Sequence, residues 1–345
     1  MQQNEPMRKL FIFISLLASM FFSCSKPAAK IHFEGEAQGP YYSITYVDQQ
    51  NRNFQQSIDS LLDAFNLSVS LWDDNSIISR INRNEHNVST DTVFRDIFRI
   101  SNQISEYSDG AFDVTVGKLV AAWGFHKKQG KVPDSTLISE LQRHIGYKTI
   151  QLKSDKLIKL DTATGIDFNA IAQGYSVDLV GGFLASKGIE DFLIDIGGEV
   201  LGHGNKSDGT AWKVGIEKPT VNANSERELE ATLPLSDGAI ATSGNYRKYY
   251  EVNGIRYSHT IDPATGYPVR HNLLSATVLA KTAAIADAWA TAFMVMGHEK
   301  ALQLIKQHPE YNLQACFIVA EPNGKHAIVM TDGLKSLITK SQTSP

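Results

Sequence analysis

A histidine and an aspartate lie three residues apart in a segment rich in turn-forming residues. Asp262-Pro263 and Gly266 favour tight turns, so we expect the backbone to hold His259 and Asp262 close together. An imidazole titrates near neutral pH, which makes His259 a candidate general base. Because a lone histidine is more often structural, this segment alone leaves both roles open.

Two oxygen-bearing side chains lie four residues apart in an alanine-rich segment that ends at Gly297 and is predicted to be a helix. Asp287 and Thr291 therefore share one helical face. A carboxylate on an otherwise apolar helix needs a partner. Two oxygen ligands on one face suit Mg²⁺, which also takes phosphates and waters. The alternative is a threonine bonded back to its own helix beside a capped aspartate.

Two other segments place a carboxylate at the end or the start of a predicted helix. Gly110 closes one helix and presents Asp113 beside Phe112, although a helix-capping turn with a solvated aspartate is favoured by spacing alone. Downstream, Asp167 or Asn169 is expected to cap the next helix.

The start of that next helix also offers a ligand site, because free amides and the helix dipole favour phosphate. Gln173 and Gly174 lie one turn in and could face the same ligand. Further on, Gly197 and Gly198 follow a predicted strand and permit close approach of a ligand to the backbone. A bulge or a tight turn explains the two glycines equally well.

Composition and the absence of standard motifs exclude several function classes. The 345-residue chain has a net charge of -4 and a pI near 6.2, which argues against nucleic acid as the main partner. It has no phosphate-binding Walker loop, no His-Glu-x-x-His zinc helix and no Gly-x-Ser-x-Gly elbow. Its two cysteines, Cys24 and Cys316, exclude a disulfide scaffold and a cysteine-based zinc site. Cys316 lies in an apolar run and is expected to be buried and inert.

The first residues are typical of a bacterial lipoprotein signal. Arg8 and Lys9 precede an apolar run over residues 10–22, and Ser23 stands before Cys24. We therefore predict a signal peptide over residues 1–23, lipidation of Cys24 and a tether over residues 24–32. The alternative is a plain cleaved signal. A lipid on Cys24 would anchor the body to a membrane surface outside the cytoplasm.

Helices and strands are intermixed over residues 33–340 without strict βαβ alternation, so we predict a single α+β domain. The clearest helix begins after Asp91, a capping residue, and continues to Gly110. Helices are predicted near residues 54–65, 91–110, 137–144, 170–187 and 283–296, and strands at residues 42–47, 192–196, 212–217, 274–279, 315–320 and 327–330.

Taken in order, five segments resemble the FAD:protein FMN transferases, the ApbE flavin-transferase family, over about residues 33–335. They are residues 109–113, 167–178, 242–244, 258–268 and 286–291. The resemblance implies a single ApbE-like domain that splits FAD at its pyrophosphate. FMN would be transferred through a phosphoester bond to a Ser or Thr hydroxyl of a target protein, and AMP would leave.

The resemblance also implies roles for individual residues. His259 would be the base that accepts the proton of the target hydroxyl, and Trp72 would stack on an aromatic ring of the ligand. Mg²⁺ would bind Asp287, Thr291 and the backbone carbonyls of Ala170 and Ala290. The FAD pocket would include Gln38, Trp72, Ala111, Phe112, Asp113, Asp167, Gln173 and Ile261.

The chain departs from the family pattern at two positions. Many members have a lysine where this chain has Gln173, which can form hydrogen bonds but supplies no charge. The Met-Gly-Thr of many members is replaced here by Gln38-Gly39-Pro40.

Partners and location follow from the same resemblance. Acceptors would be redox proteins with an FMN-binding domain, such as subunits of Nqr- and Rnf-type electron-transfer complexes, and the enzyme would be an exported lipoprotein facing the periplasm. Two alternatives are an FAD pyrophosphatase that uses water as the nucleophile and a flavin-binding lipoprotein without catalysis.

Overall fold

The computed structural model describes residues 28–125, 132–218, 229–245, 249–252 and 255–342. The predicted signal peptide and Cys24 lie outside these residues. The strands are β1 (Ala29–Glu36), β2 (Tyr41–Asp48), β3 (Ile150–Lys153), β4 (Lys156–Lys159), β5 (Phe192–Ile196), β6 (Glu199–His203), β7 (Trp212–Glu217), β8 (Leu229–Leu235), β9 (Asp237–Gly244), β10 (Tyr249–Val252), β11 (Ile255–Ser258), β12 (Leu273–Ala280), β13 (Gln314–Ala320) and β14 (His326–Met330).

Eight of these strands form one antiparallel sheet in the order β1-β2-β5-β6-β9-β12-β13-β14. Three hairpins, β3–β4, β7–β8 and β10–β11, stand apart from it. The six predicted strands all occur, with ends that differ by at most one residue. Every pairing in the sheet is antiparallel and helices interrupt the strands, which confirms the α+β prediction.

All five predicted helices occur, together with four others in the described residues that were not predicted from the sequence. They are α1 (Gln55–Val69), α2 (Ile77–Asn82), α3 (Thr92–Tyr107), α4 (Gly117–Ala122), α5 (Ser135–Gln142), α6 (Ala172–Ser186), α7 (Ala283–Met296), α8 (His298–Gln307) and α9 (Asp332–Gln342). The Asp91 carboxylate accepts a hydrogen bond from Phe94 N at 2.7 Å and caps α3 as expected. No helix of the described residues combines the length and the apolar character needed to cross a bilayer.

The two faces of the sheet are covered by different elements. On one face, α6 packs against β5 through Val177, Val180 and Leu184. On the other face, the β7–β8 hairpin and α9 cover side chains such as Ile240 and Cys316. Cys316 is fully buried, and this burial raises the pKa of its thiol to about 12, which confirms the prediction of an inert cysteine.

The sheet has a step between β6 and β9, which is the place where β9 continues beyond its last residue pair with β6. β5 and β6 are five residues each and are joined by Gly197 and Gly198, whose φ angles of 63° and 111° close a two-residue turn. β9 is longer and pairs with β6 only as far as Val200 opposite Ile240. Beyond this pair, residues 241–244 pair with β12 alone among the described strands.

The helices α6 and α7 touch at Gly174. A Cβ atom built on Gly174 would overlap the Ala283 carbonyl oxygen and lie 2.8 Å from Cβ of Asp287. Glycine is needed here because the backbone of α7 occupies the place of a side chain. Gly182, two turns further along α6, faces open space, and a Cβ there would meet nothing within 4 Å.

We expect Gly174→Ala to lower the free energy of unfolding by at least about 1–3 kcal/mol, because the added methyl group forces the two helices apart. Gly182→Ala is the matched control, since the same change should raise stability by up to about 1 kcal/mol through helix propensity. Urea denaturation followed by circular dichroism measures both. Equal stability of the two variants would show that the helix contact is not tight.

Candidate active site

Four hydrogen bonds join the segments singled out in the sequence into one site at the step of the sheet. They connect the β5–β6 turn to α6, α6 to α7, α7 to β9, and β9 to the segment that follows β11. The bonds are Gln173 Nε2 to Ile196 O (2.8 Å), Gly174 N to Asp287 Oδ2 (3.0 Å), Ser243 Oγ with Thr291 Oγ1 (3.1 Å) and Thr260 Oγ1 to Asn245 Oδ1 (2.9 Å).

Asp287 and Thr291 lie one turn apart on α7, as predicted. Asp287 is 7% exposed, and its carboxylate accepts the backbone amide of Gly174 from the first turn of α6. A buried carboxylate needs such a donor, which explains how the apolar helix tolerates it. The Thr291 hydroxyl forms a hydrogen bond with the Ser243 hydroxyl on β9, so this face of α7 is directed towards the step.

Asp178 fixes the start of α7. Its two carboxylate oxygens accept Ala283 N and Ala284 N, each at 2.8 Å, and Thr282 is the N-cap residue of the helix. Burial raises the pKa of Asp178 to about 6, against the effect of the two amide donors. Sequence reasoning gave Asp178 no role, because the helix that it caps begins 105 residues further along the chain.

The prediction that Asp167 or Asn169 caps α6 is wrong. The Asp167 carboxylate accepts a hydrogen bond from Asn169 N at 2.8 Å. Ala172 N donates to Phe168 O, which closes a tight turn before the helix. The helix therefore begins at Ala172, with Ile171 in the N-cap position and no side chain capping it. Ala170 lies in the turn before the helix.

Asp113 is buried and held from several sides, contrary to the expectation of a solvated residue. One carboxylate oxygen accepts the amide and the hydroxyl of Thr115, at 2.8 and 2.6 Å, and the other accepts Tyr147 N at 2.8 Å. Burial raises its pKa above the ordinary value. The amide of Asp167 bonds Val114 O, so residues 111–113 adjoin the start of α6.

His259 lies beside Asn245 through its neighbour Thr260, and it is half-buried. Its ring meets Phe125 edge to face, with the centroids 6.5 Å apart. The carboxylate of Asp262 instead bonds its own turn, accepting Ala264 N and the Thr265 hydroxyl. The turn therefore forms as predicted, but these bonds direct Asp262 towards the turn and not towards the imidazole.

Comparison with known proteins accounts for the order of these segments. The sequence profile of the ApbE family matches residues 39–317. The chain belongs to the ApbE family. An FAD:protein FMN transferase of Vibrio cholerae is 37% identical over 298 residues, covering 83% of this chain and 88% of that protein. The corresponding protein of Haemophilus influenzae is 33% identical over 336 residues, covering 92% and 95%.

Solved structures of ApbE proteins share the fold. The flavin transferase ApbE from Vibrio cholerae superposes with a TM-score of 0.80 at 32% identity, covering 90% of this chain and all of that chain. The apo form of the Pseudomonas stutzeri flavinyl transferase ApbE gives 0.80 at 31% identity, covering 90% and 97%. The single ApbE-like fold predicted from the sequence is confirmed.

Gln173, the first departure from the ApbE pattern, is occupied within the protein. Its side-chain amide donates to Ile196 O at 2.8 Å and to the carboxylate of Glu199, which is 8% exposed. These bonds tie α6 to the β5–β6 turn, where Gly197 leaves room for the Gln173 side chain. Gln173 therefore holds the β5–β6 turn against the start of α6, a role that the spacing of residues in the sequence did not show.

The remaining residues of the expected FAD pocket differ in exposure. Gln38 has a positive φ of 58°, and its Nε2 is buried without a hydrogen-bond partner in the described part of the chain. Phe112 and Ile261 are buried at 2% and 6% exposure, whereas Trp72 is 68% exposed. Trp72 thus presents its ring to solvent, and Ala111 is partly exposed near the start of α6.

Proposed function

We propose that this protein is an FAD:protein FMN transferase that attaches FMN to a threonine or serine of another protein. The acceptor hydroxyl oxygen attacks the phosphorus of the FMN half of FAD. The bond from that phosphorus to the AMP phosphate breaks, and AMP leaves with the electron pair. Family membership supports the reaction class. Two hydrogen bonds, Thr291 with Ser243 and Thr260 with Asn245, support a position of His259 near the α7 face, because Ser243 and Asn245 lie two residues apart in the chain.

His259 is the group that accepts the proton of the acceptor hydroxyl. A neutral hydroxyl is a weak nucleophile, and an imidazole that titrates near neutral pH raises its reactivity. The half-buried ring keeps access to solvent on one side and packs against Phe125 on the other. A ring nitrogen of His259 takes up the proton that the acceptor hydroxyl loses in the transfer step.

The donor set on α7 and in the turn before α6 fits Mg²⁺. Asp287 offers a carboxylate, Thr291 a hydroxyl, and Ala170 and Ala290 offer backbone carbonyls, so every ligand is oxygen. Among the described residues no three His, Cys, Asp or Glu side chains form a metal cluster, so one carboxylate would be supplemented by phosphate oxygens. Bound Mg²⁺ supplies neutralisation of pyrophosphate charge.

The carboxylates of the proposed FAD pocket suit the donor groups of the ligand. Asp113 and Asp167 accept hydrogen bonds and would repel phosphate, so they match ring N–H, amino or ribose hydroxyl groups. Trp72 offers an exposed ring for stacking, and Gln38 offers a buried amide donor. Ala111, Phe112, Gln173 and Ile261 shape the remaining walls.

The first described strand begins at the end of the sheet opposite the candidate site. β1 begins at Ala29, five residues after Cys24, and Ala29 pairs with Asp48 at the end of β2 where α6 also finishes. Five extended residues span at most about 18 Å. A lipid on Cys24 would hold this end near a membrane and direct the step away from it, towards exported acceptors such as subunits of Nqr- and Rnf-type complexes.

We expect His259→Ala to retain FAD binding but to lose transfer by about 10²–10⁴-fold, because the proton acceptor is gone. The protein is incubated with FAD, Mg²⁺ and an FMN-binding acceptor domain, and in-gel flavin fluorescence and free AMP are measured. His32→Ala, an exposed histidine on β1, is the control and should transfer normally.

Three outcomes of this assay would contradict parts of the proposal. Unchanged labelling by His259→Ala would remove His259 from its role. FMN and AMP without labelled acceptor in the wild type would establish a pyrophosphatase instead. If the wild type forms neither product, only flavin binding remains.

We expect Asp287→Asn to lose stimulation by Mg²⁺, because a neutral amide replaces the one carboxylate of the donor set. Transfer rate is measured against Mg²⁺ concentration after treatment with a chelator. Asp63→Asn, an exposed carboxylate on α1, should keep the wild-type dependence. An Asp287→Asn enzyme with an unchanged Mg²⁺ dependence would refute the proposed ligand.

We expect Cys24→Ala to move the protein from the membrane to the soluble fraction while labelling of a soluble acceptor domain stays within about twofold, because the anchor is remote from the site. Cys316→Ala, which removes the buried thiol, is the matched control and should stay with the membrane. Mass spectrometry of the wild type checks the lipid directly, and an unmodified Cys24 would contradict the anchor.

A further inference from the structure

The hydroxyl of Thr291 forms its hydrogen bond across the gap between α7 and β9. Its oxygen lies 3.1 Å from Ser243 Oγ, and within the described residues this is the only hydrogen bond of the Thr291 side chain. A helical threonine often donates instead to the carbonyl four residues earlier, here that of Asp287. Because Thr291 does not turn back on its own helix, its hydroxyl depends on Ser243 for its orientation.

Ser243 lies where β9 leaves the β5–β6 hairpin. The last pair between β6 and β9 joins Val200 to Ile240. Continued by two residues, this register sets Thr242 beside Gly198 of the turn, and Ser243 is the first residue beyond it. Side chains alternate along a strand, so the hydroxyls of Thr242 and Ser243 lie on opposite faces. Ser243 faces α7 and is only partly buried, so a ligand in the step can reach it.

Cation binding would fix the direction of the bond between the two hydroxyls. A hydroxyl has one proton and two lone pairs, and with no cation bound either oxygen of the pair can be the donor. When a lone pair of Thr291 Oγ1 binds Mg²⁺, its proton must point away from the cation, and Ser243 Oγ is the acceptor in reach. The bond then runs from Thr291 to Ser243, and Ser243 keeps its own proton for another oxygen in the step.

We propose that Ser243 is a positioning residue for the Mg²⁺ of the transfer reaction. By accepting the Thr291 proton, it turns a lone pair of Thr291 Oγ1 towards the cation that Asp287 also binds. The inference rests on the proposed transferase function and its Mg²⁺ ligands, and Ser243 acts through Thr291 rather than as a ligand itself. Groups that orient a metal ligand in this way commonly change metal affinity about 10–100-fold when they are removed.

Calorimetric titration of Mg²⁺ into the FAD-loaded protein, without acceptor, measures this effect apart from activity. We expect Ser243→Ala to raise the Kd for Mg²⁺ about tenfold or more, because Thr291 loses the acceptor that orients it. Thr242→Val removes the neighbouring hydroxyl on the other face of β9, which bonds Thr277, and is the matched control. Its Kd should stay within about twofold of the wild-type value. A Ser243→Ala protein that binds Mg²⁺ as tightly as the wild type would overturn the proposal.

A double-mutant cycle with Thr291→Val shows whether Ser243 acts through Thr291. Thr291→Val should weaken Mg²⁺ binding at least as much as Ser243→Ala does. Adding Ser243→Ala to it should then change the Kd by less than about twofold, since the pair is already broken. A further loss of about tenfold in the double variant would show an independent action of Ser243 and overturn the proposal. A wild type that binds no Mg²⁺ would overturn the proposal and the Mg²⁺ ligands together, whereas acceptor labelling alone decides the transferase function.

Discussion

The contact between α6 and α7 is the constraint on which the site depends. Gly174 brings the two helix backbones together, and its amide is donated to the buried carboxylate of Asp287. One turn further along α6, Asp178 caps the first two amides of α7. A carboxylate on each side of the contact thus takes backbone donors from the other helix. The position of Asp287 relative to the start of α6 is fixed by these bonds, and not by the apolar packing around them.

The second constraint is the unequal length of neighbouring strands. A short β5–β6 hairpin beside a longer β9 creates the step, and the glycine turn leaves room for the Gln173 side chain. Gln173 and Glu199 then join the hairpin turn to the same first turn of α6 that holds Asp287. The end of the hairpin, the start of α6 and the face of α7 are therefore joined by hydrogen bonds.

Local signals in the sequence predicted five of the nine helices and six of the fourteen strands that the structure describes, and contacts between distant segments decided much of the rest. Asp91 caps α3 as predicted, because its oxygen needs only a backbone amide three residues away. The same reasoning failed at Asp167, where a competing bond to Asn169 and a tight turn delay the helix. Asp178 shows the limit most clearly, since nothing near it in sequence indicates that it caps a helix in another part of the chain.

The net negative charge of the chain makes the handling of an anionic dinucleotide the remaining physical question. A lysine at position 173 would place a cation beside Glu199, at the base of the step. In this chain the neutral amide of Gln173 donates hydrogen bonds to the Glu199 carboxylate and to the Ile196 carbonyl. Gln173 therefore supplies no positive charge that could neutralise a phosphate. At the start of α6 the Gly174 amide already donates to Asp287, and a helix dipole is worth only about half a charge. We therefore propose that a cation from outside the chain, Mg²⁺, neutralises the pyrophosphate at this place.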